Sequence, residues 1–407
     1  MKTTKPVQIV FVGVGGYGNY LFRLLKTEVD PSLFEVAAVV DPYAHLSPQY
    51  QDILRDKTPI FDDLESFYQH HSAGLAIIAS PLPLHKQQVI CALEHGSDVL
   101  CEKPLTSCVQ DMYDIEATLK KTGRRLGIGY QWCFADTFID LKRDIMSGLL
   151  GRPIEMKTFI SWKRYDEYYQ KWWSGRVKGP DGQWILDSVL TNATCHYLQN
   201  ILFLLGDAMD TAAMPDSLCA SLYRAKDIES FDTDIVMGRI GDCAFYHFAT
   251  HAAEVNTEPR FLYTFERATV SFNMDEMDGR VVAQFTDGST KVYGEPFTDH
   301  ETARKIEWML NAVLDPELQI PCTIPTSLPQ ALVCNAIFDQ VPIINFPKSL
   351  LVRESDPAGT FVRGLYEDML SCFDNSKLPG ACGFDWAVPE KPVALEGYRA
   401  FTGAQFN

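Results

Sequence analysis

The chain of 407 residues has no apolar run long enough to cross a bilayer, which excludes a helical membrane span within it. Basic residues are in deficit: 36 Lys and Arg stand against 53 Asp and Glu, a formal net charge of −17. That balance argues against nucleic acid or an anionic membrane surface as partner. The eleven cysteines are odd in number and scattered, and no C-x-x-C spacing occurs among them. A disulfide framework or a zinc site is therefore not expected. Buried free thiols in a reducing cytoplasm fit better, with Cys91 and Cys101 in apolar surroundings. The opening stretch, MKTTKPVQIVFVGVGG, lacks the layout of a signal peptide, and the expected location is cytoplasmic. Internal repeats and low-complexity tracts are absent from the sequence. What is there, 46% hydrophobic and 22% charged residues, is the composition of a globular protein with room for two domains and some elaboration.

The most informative stretch is VQIVFVGVGGYG, Val7 to Gly18. Val7, Ile9, Val10, Phe11 and Val12 suit a strand buried on both faces of a parallel sheet. Gly13, Gly15 and Gly18 fit G-x-G-x-x-G. The first glycine allows a tight turn, the second a close approach of backbone to pyrophosphate, the third close helix–strand packing. Asn19 to Lys26 reads as the following helix, whose N-terminus offers N–H donors to an anion. A second apolar strand, Val36 to Val40, ends in Asp41, 23 residues after Gly18. A carboxylate there accepts hydrogen bonds from an adenosine ribose and repels a 2′-phosphate. No basic residue adjoins it, since Pro42 and Tyr43 follow. NAD is the expected cofactor, and NADP is disfavoured.

Strand and helix patterns alternate to about residue 130, which implies a doubly wound parallel sheet. The strand Leu75 to Ala79 runs into Ser80-Pro81-Leu82-Pro83-Leu84-His85, an extended loop at the strand end where ligands sit in such sheets. Ser107 is a candidate cap for a helix reaching Lys121. The pattern then changes. Strand-like runs at Ile154 to Trp162, Asp234 to Ile240, Ala244 to His251, Phe261 to Phe265, Ala268 to Phe272 and Val281 to Phe285 suggest an antiparallel or mixed sheet. An aromatic, basic loop spans Trp162 to Trp184, and Asn192 to Leu205, Glu301 to Val313 and Leu328 to Gln340 read as helices.

Four stretches together resemble the glucose–fructose oxidoreductase / inositol dehydrogenase (Gfo/Idh/MocA) family, in a bacterial branch with no firm substrate. They are GVGGYG at Gly13 to Gly18, PLPLHKQQVICALEHGSDVLCEKPL at Pro81 to Leu105, GYQWCF at Gly129 to Phe134, and NATCHYLQNILFLLG at Asn192 to Gly206. The resemblance implies an α/β protein: an N-terminal Rossmann domain (1–130), then a substrate-binding and oligomerisation α/β domain with a large open, mostly antiparallel sheet (131–345). A C-terminal extension (346–407) would pack on both. It also implies a homodimer or homotetramer, and a dehydrogenase or reductase acting on a sugar, polyol or cyclitol-like substrate.

Hydride transfer at a carbinol carbon needs an acid–base group for the hydroxyl proton. The resemblance assigns that work to Lys103, with a cis Lys103–Pro104 peptide, and to the helix-borne His196. Glu102 is expected to orient ribose or Lys103. Where many relatives carry Asp, this chain has Asn192, which shares a helix face with His196 at i, i+4 but cannot accept a proton. Asp187 is the alternative acid–base candidate. Expected cofactor contacts are Gly13, Gly15, Gly16, Tyr17, Gly18, Asp41, Ser80, Pro81, His85, Glu102 and Lys103. Expected substrate contacts are Lys103, Arg164, Tyr169, Trp173, Asn192, His196 and His251. Aromatic faces stack on sugar C–H faces, and arginine pairs with hydroxyls or a carboxylate. No metal site is expected, because His247 and His251 lack an evident third ligand. Two rival functions stay open: an NAD-dependent glycosidase of the same family, and a non-catalytic dinucleotide-binding sensor or regulator.

Overall fold

The computed structural model describes residues 5–274 and 279–406. The chain divides into two compact units. One comprises 1–139, 209–211 and 296–328, and the other 140–208, 212–295 and 329–407.

The first unit is built on six strands: β1 (Val7–Val12), β2 (Phe34–Val40), β3 (Ile60–Phe61), β4 (Leu75–Ile78), β5 (Asp98–Cys101) and β6 (Leu126–Ile128). Their order is β3-β2-β1-β4-β5-β6, with every pairing parallel. β1, β4 and β5 are almost wholly buried, as their unbroken apolar sequences require of strands covered on both faces. The strand order reverses between β1 and β4, and the crevice outside their C-terminal ends is the usual ligand position. Helices Gly16–Thr27, His85–Glu94 and Val109–Thr122 cross between strands. The last is entered at Cys108 rather than Ser107, with no side-chain cap. A helix from far along the chain, Asp299–Leu314, completes this unit. Asp299 accepts from Tyr20 Oη (2.7 Å) and from Arg23 (2.9 Å) on the first helix. A Cβ on Gly127 would lie 2.5 Å from Met309 Sδ, so glycine in β6 is what lets this helix approach.

The second unit is organised by a ten-stranded sheet. Its strands are β7 (Pro153–Ser161), β8 (Ser217–Arg224), β9 (Thr233–Ile240), β10 (Cys243–Thr250), β11 (Arg260–Phe265), β12 (Ala268–Phe272), β13 (Val281–Phe285), β14 (Thr290–Gly294), β15 (Ile343–Asn345) and, off the main path, the two-residue strand Lys391–Pro392. The order is β14-β13-β12-β11-β7-β10-β9-β8-β15. Only β7–β10 and β8–β15 pair in parallel, so the sheet is mixed and mostly antiparallel. One face is covered by the C-terminal segment. Leu365, Met369, Cys372 and Phe373 of the helix Leu365–Asn375, with Trp386, pack on Phe159, Tyr223, Ile235 and Phe248. Lys157, buried in β7, donates to the carbonyls of Phe373 (2.7 Å) and Asp374 (3.3 Å) at that helix's C-terminus, where a cation is favoured.

The segment read as one helix from Asn192 is two pieces. A π turn, Val189–Ala193, is closed by reciprocal bonds between Ser188 and Thr191, and a regular helix Cys195–Leu204 follows. Asn192 therefore precedes the helix that carries His196. All eleven cysteines are free. No helix among the described residues is long and apolar enough to cross a membrane.

Candidate functional site

Each unit carries its own set of the residues singled out from the sequence. In the first, Gly13 adopts φ +83°, and a Cβ there would lie 2.8 Å from Ser80 N and 2.9 Å from the Ala79 carbonyl. A Cβ on Gly18 would lie 2.1 Å from Gly13 O. Gly15 and Gly16 differ: both are exposed, and nothing lies within 4 Å of an added Cβ. Two glycines thus close the turn, and two leave an open cradle at a helix N-terminus whose N-cap, Gly15, offers no side-chain acceptor. Uncapped N–H groups beside open space suit a pyrophosphate.

Asp41 follows β2. Its carboxylate accepts from Val14 N (2.9 Å) and Tyr43 N (2.8 Å). Each oxygen keeps a further lone pair for a ribose hydroxyl, and the two backbone donors fix the orientation. The residues present therefore fit a dinucleotide with a free 2′-hydroxyl.

At the ends of β4 and β5 the two loops are tied together by His85, which is 2% exposed. Its Nδ1 lies 3.0 Å from Pro104 O and its Nε2 2.9 Å from Ser80 O. Burial draws the imidazole toward neutrality, while these carbonyls and nearby Glu102 favour the charged ring. Pro81 is exposed at the entry to a short turn, and Ser80 Oγ bonds Gln88. Lys103–Pro104 is cis. Lys103 is half-buried, and its N–H donates to Glu102 Oε2 (3.3 Å). Glu102 is buried in an ion pair with Lys305, whose Nζ also donates to Tyr17 Oη (3.1 Å). Tyr17 in turn donates to Gln131 (3.1 Å). A Cβ at Gly129 would press on the Glu102 carboxylate at 2.7 Å. Sequence reasoning missed Lys305, and only its place at an inward position of a periodic helix hinted at burial.

In the second unit, Arg164, Tyr169, Asp187, Asn192 and His251 are brought into one neighbourhood. Arg164 N donates to His251 O (3.2 Å), and its guanidinium lies 5.0 Å from the Tyr168 ring. The Tyr168 and His251 rings are 5.7 Å apart. Tyr169 Oη is 3.0 Å from His251 Nδ1. Asp187 is buried, accepting from Gly175 N (2.6 Å) and from Asn192 Nδ2 (2.8 Å). Burial, and after it the Asp187 charge, raises the Tyr168 hydroxyl above the usual tyrosine range. His196, half-buried, occupies the first turn of its helix, next to Tyr197, whose ring meets Trp162 at 5.9 Å. Trp173 contacts Lys171 (5.4 Å). His247 and His251 have separate surroundings. His247 is sealed inside, 2.9 Å from Thr158 Oγ1 and 3.6 Å from Asp234, and burial pushes it down to about 3. Among the described residues no group of three or more His, Cys, Asp or Glu is placed to hold a metal ion.

Residues 7–130 match the model of an oxidoreductase family with an NAD-binding Rossmann fold, GFO_IDH_MocA. Over those residues the chain is similar to that family. Curated relatives match over part of the chain. A 2,7-anhydro-N-acetylneuraminate hydratase of Mediterraneibacter gnavus is 29% identical over 174 residues, 40% of this chain and 44% of the relative. The scyllo-inositol 2-dehydrogenase (NAD(+)) of Bacillus subtilis is 28% identical over 153 residues, 38% of this chain and 44% of the relative. The chain thus spans under half the length of these relatives. Solved structures share the fold more fully. The WlbA dehydrogenase of Bordetella pertussis, in complex with NADH and UDP-GlcNAcA, superposes with TM-score 0.65 at 20% identity, covering 83% of this chain and 95% of that one. An oxidoreductase of Agrobacterium radiobacter, in complex with NAD+, L-tartaric acid and magnesium, gives TM-score 0.66 at 14% identity, covering 82% and 95%. A Rossmann domain followed by a mostly antiparallel α/β domain is therefore the fold of this protein.

Proposed function

We propose that this protein is an NAD-dependent oxidoreductase acting on a CH–OH group of a sugar, polyol or cyclitol-like substrate. The observation that carries this is the conjunction, in one unit, of the open glycine cradle at Gly15 and Gly16 with Lys103 at the end of β5. Gly13, Gly15, Gly16, Tyr17 and Gly18 would hold the pyrophosphate side, and Asp41 the adenosine ribose. Ser80, Pro81, His85 and Glu102 belong to the loops at the sheet's C-terminal edge, toward the nicotinamide. When bound, the nicotinamide supplies or accepts the hydride. Lys103 takes or returns the hydroxyl proton, and Glu102, fixed by Lys305, fixes Lys103. His196 supports that proton transfer. Arg164, Tyr169, Trp173, Asn192 and His251 bind the substrate. Asp187 holds Asn192 in place, which gives a structural use to the acid beside the Asn substitution. The curated inositol dehydrogenase and the sugar-nucleotide complex of WlbA support the substrate class.

The hydratase relative supports a second reading, in which water is added or removed with no net redox change and no NADH accumulates. The rival glycosidase would share that absence of net NADH. A homo-oligomer in the cytoplasm remains part of the proposal. Substrate-dependent NADH formation by wild-type protein, lost in Lys103→Met at saturating NAD+, tests the reading. Unimpaired turnover by Lys103→Met removes Lys103 from it.

A further inference from the structure

Arg164 is half-buried, yet it pairs with no carboxylate among the described residues, and its Nε–H is buried without an acceptor there. Its guanidinium lies over the Tyr168 ring at 5.0 Å and near the Trp162 ring at 5.8 Å. Two aromatic neighbours partly compensate the cation but cannot replace a counter-ion. The acids nearby are committed elsewhere. Asp187 is bonded by Gly175 N and Asn192 Nδ2, and Asp232 Oδ2 accepts from Ala225 N and Lys226 N, both at 2.9 Å.

A second buried nitrogen without a partner lies beside the same Tyr168 ring. His251 is 2% exposed, and its Nε2 has no hydrogen-bond partner among the described residues. Its Nδ1 faces the Tyr169 hydroxyl at 3.0 Å. Burial keeps that phenol protonated, and in the tautomer in which Tyr169 donates to Nδ1 the ring proton resides on Nε2. The nearby charges of Arg164 and Lys226, added to burial, hold His251 neutral. Lys226 Nζ donates to Thr360 O at 2.8 Å and lies over the Phe361 ring at 4.2 Å. The result is a guanidinium Nε–H and, in that tautomer, an imidazole Nε2–H, both beside Tyr168 and both without a partner among the described residues, with the guanidinium lacking a counter-ion. The side edge of a guanidinium, Nε–H plus one Nη–H, matches the two oxygens of a carboxylate.

We propose that Arg164 and His251 receive a carboxylate of the substrate, so that the substrate is a sugar or polyol acid. This rests on the oxidoreductase reading for its place in a reaction, but not for its chemistry. A phosphate would supply the same charge, and the test separates the two.

The experiment measures binding to the full-length, NADH-loaded protein by calorimetry. The probes are D-gluconate, D-glucuronate and N-acetylneuraminate, with D-glucitol, D-glucose and D-glucose 6-phosphate as comparisons. At least one acid should bind about tenfold or more tightly than its neutral counterpart, a preference of the size an ion-paired hydrogen bond gives. Arg164→Gln should erase that preference and leave NADH affinity unchanged, while Arg164→Lys keeps part of it. Equal binding of acids and neutral sugars, a preference that survives Arg164→Gln, or tighter binding of the phosphate each overturns the proposal. If acids are preferred but no compound exchanges hydride with the cofactor, the carboxylate site stands and the oxidoreductase reading falls. If neutral sugars are oxidised as efficiently as acids, the reverse holds.

Discussion

Glu102 and Lys305, 203 residues apart in sequence, form an ion pair in which both side chains are buried. The pair fixes the residue next to Lys103 from a helix contributed late in the chain. Removing one partner leaves the other charge buried alone, which costs far more than the pair contributes. Lys305→Met should lower unfolding stability by about 3–5 kcal/mol, measured by urea denaturation. The double variant Lys305→Met/Glu102→Leu should recover much of the loss. A single variant as stable as wild type contradicts the buried pairing.

The glycines of the first turn should separate by role. Gly18→Ala places a Cβ 2.1 Å from Gly13 O, so the helix must move away from the strand. A loss of about 1–3 kcal/mol in stability is expected. Gly15→Ala meets open space, so stability should change by no more than about 1 kcal/mol. Its methyl group enters the cradle, and NADH affinity should fall about tenfold or more, or 1.4 kcal/mol at about tenfold. Thermal melts and fluorescence titration read the two effects apart. Equal melting temperatures for both variants would contradict the assignment.

Much of the first unit was legible in the sequence. β1, its glycine turn and Asp41 lie within a short span, and each uses a local signal: an apolar run, the spacing of Gly13, Gly15 and Gly18, an acid at a strand end. The strands β7 and β9 to β13 were legible for the same reason, as apolar or alternating runs between turns. The return of Asp299–Leu314 to the first unit was not, because burial of Lys305 and Met309 depends on a surface supplied by residues far away in sequence. The break between Asn192 and the His196 helix also escaped, since the side-chain cap at Ser188 competes locally with helix periodicity. Arg164, Tyr169 and His251 were named as residue types suited to a sugar. Their common neighbourhood follows from the pairing of β7 with β10, which a sequence does not display.

Cofactor choice should follow Asp41. Its carboxylate repels a 2′-phosphate, and Val14 N and Tyr43 N hold it in position. Asp41→Ser should weaken NADH binding and strengthen NADPH binding, shifting the ratio of dissociation constants by about tenfold or more, equivalent to about 1.4 kcal/mol. A wild-type protein that binds NADPH more tightly than NADH would refute the preference outright.

Lys226 gives a pH signature. Burial draws its ammonium down to about 8 from an ordinary 10.5, with Asp232 and Asp166 opposing. Between those values the unfolded chain holds more protons than the folded one, so this residue makes stability rise with pH across that window. The unfolding free energy of wild type minus that of Lys226→Met should therefore climb by roughly 1 kcal/mol per pH unit above pH 8. A difference that stays flat or falls means that the ammonium is not depressed.

The most direct measurement loads the protein with stoichiometric NAD+ and mixes it rapidly with sugar acids, following the absorbance band of reduced nicotinamide. Because the cofactor is watched on the enzyme, reduction registers whether or not NADH is later released. At least one acid should produce the band in a single turnover, and Lys103→Met should slow its appearance by about a hundredfold or more while binding NAD+ as before. A wild-type protein that binds NAD+ and these acids yet never develops the band, or a Lys103→Met variant that develops it at full rate, contradicts the account.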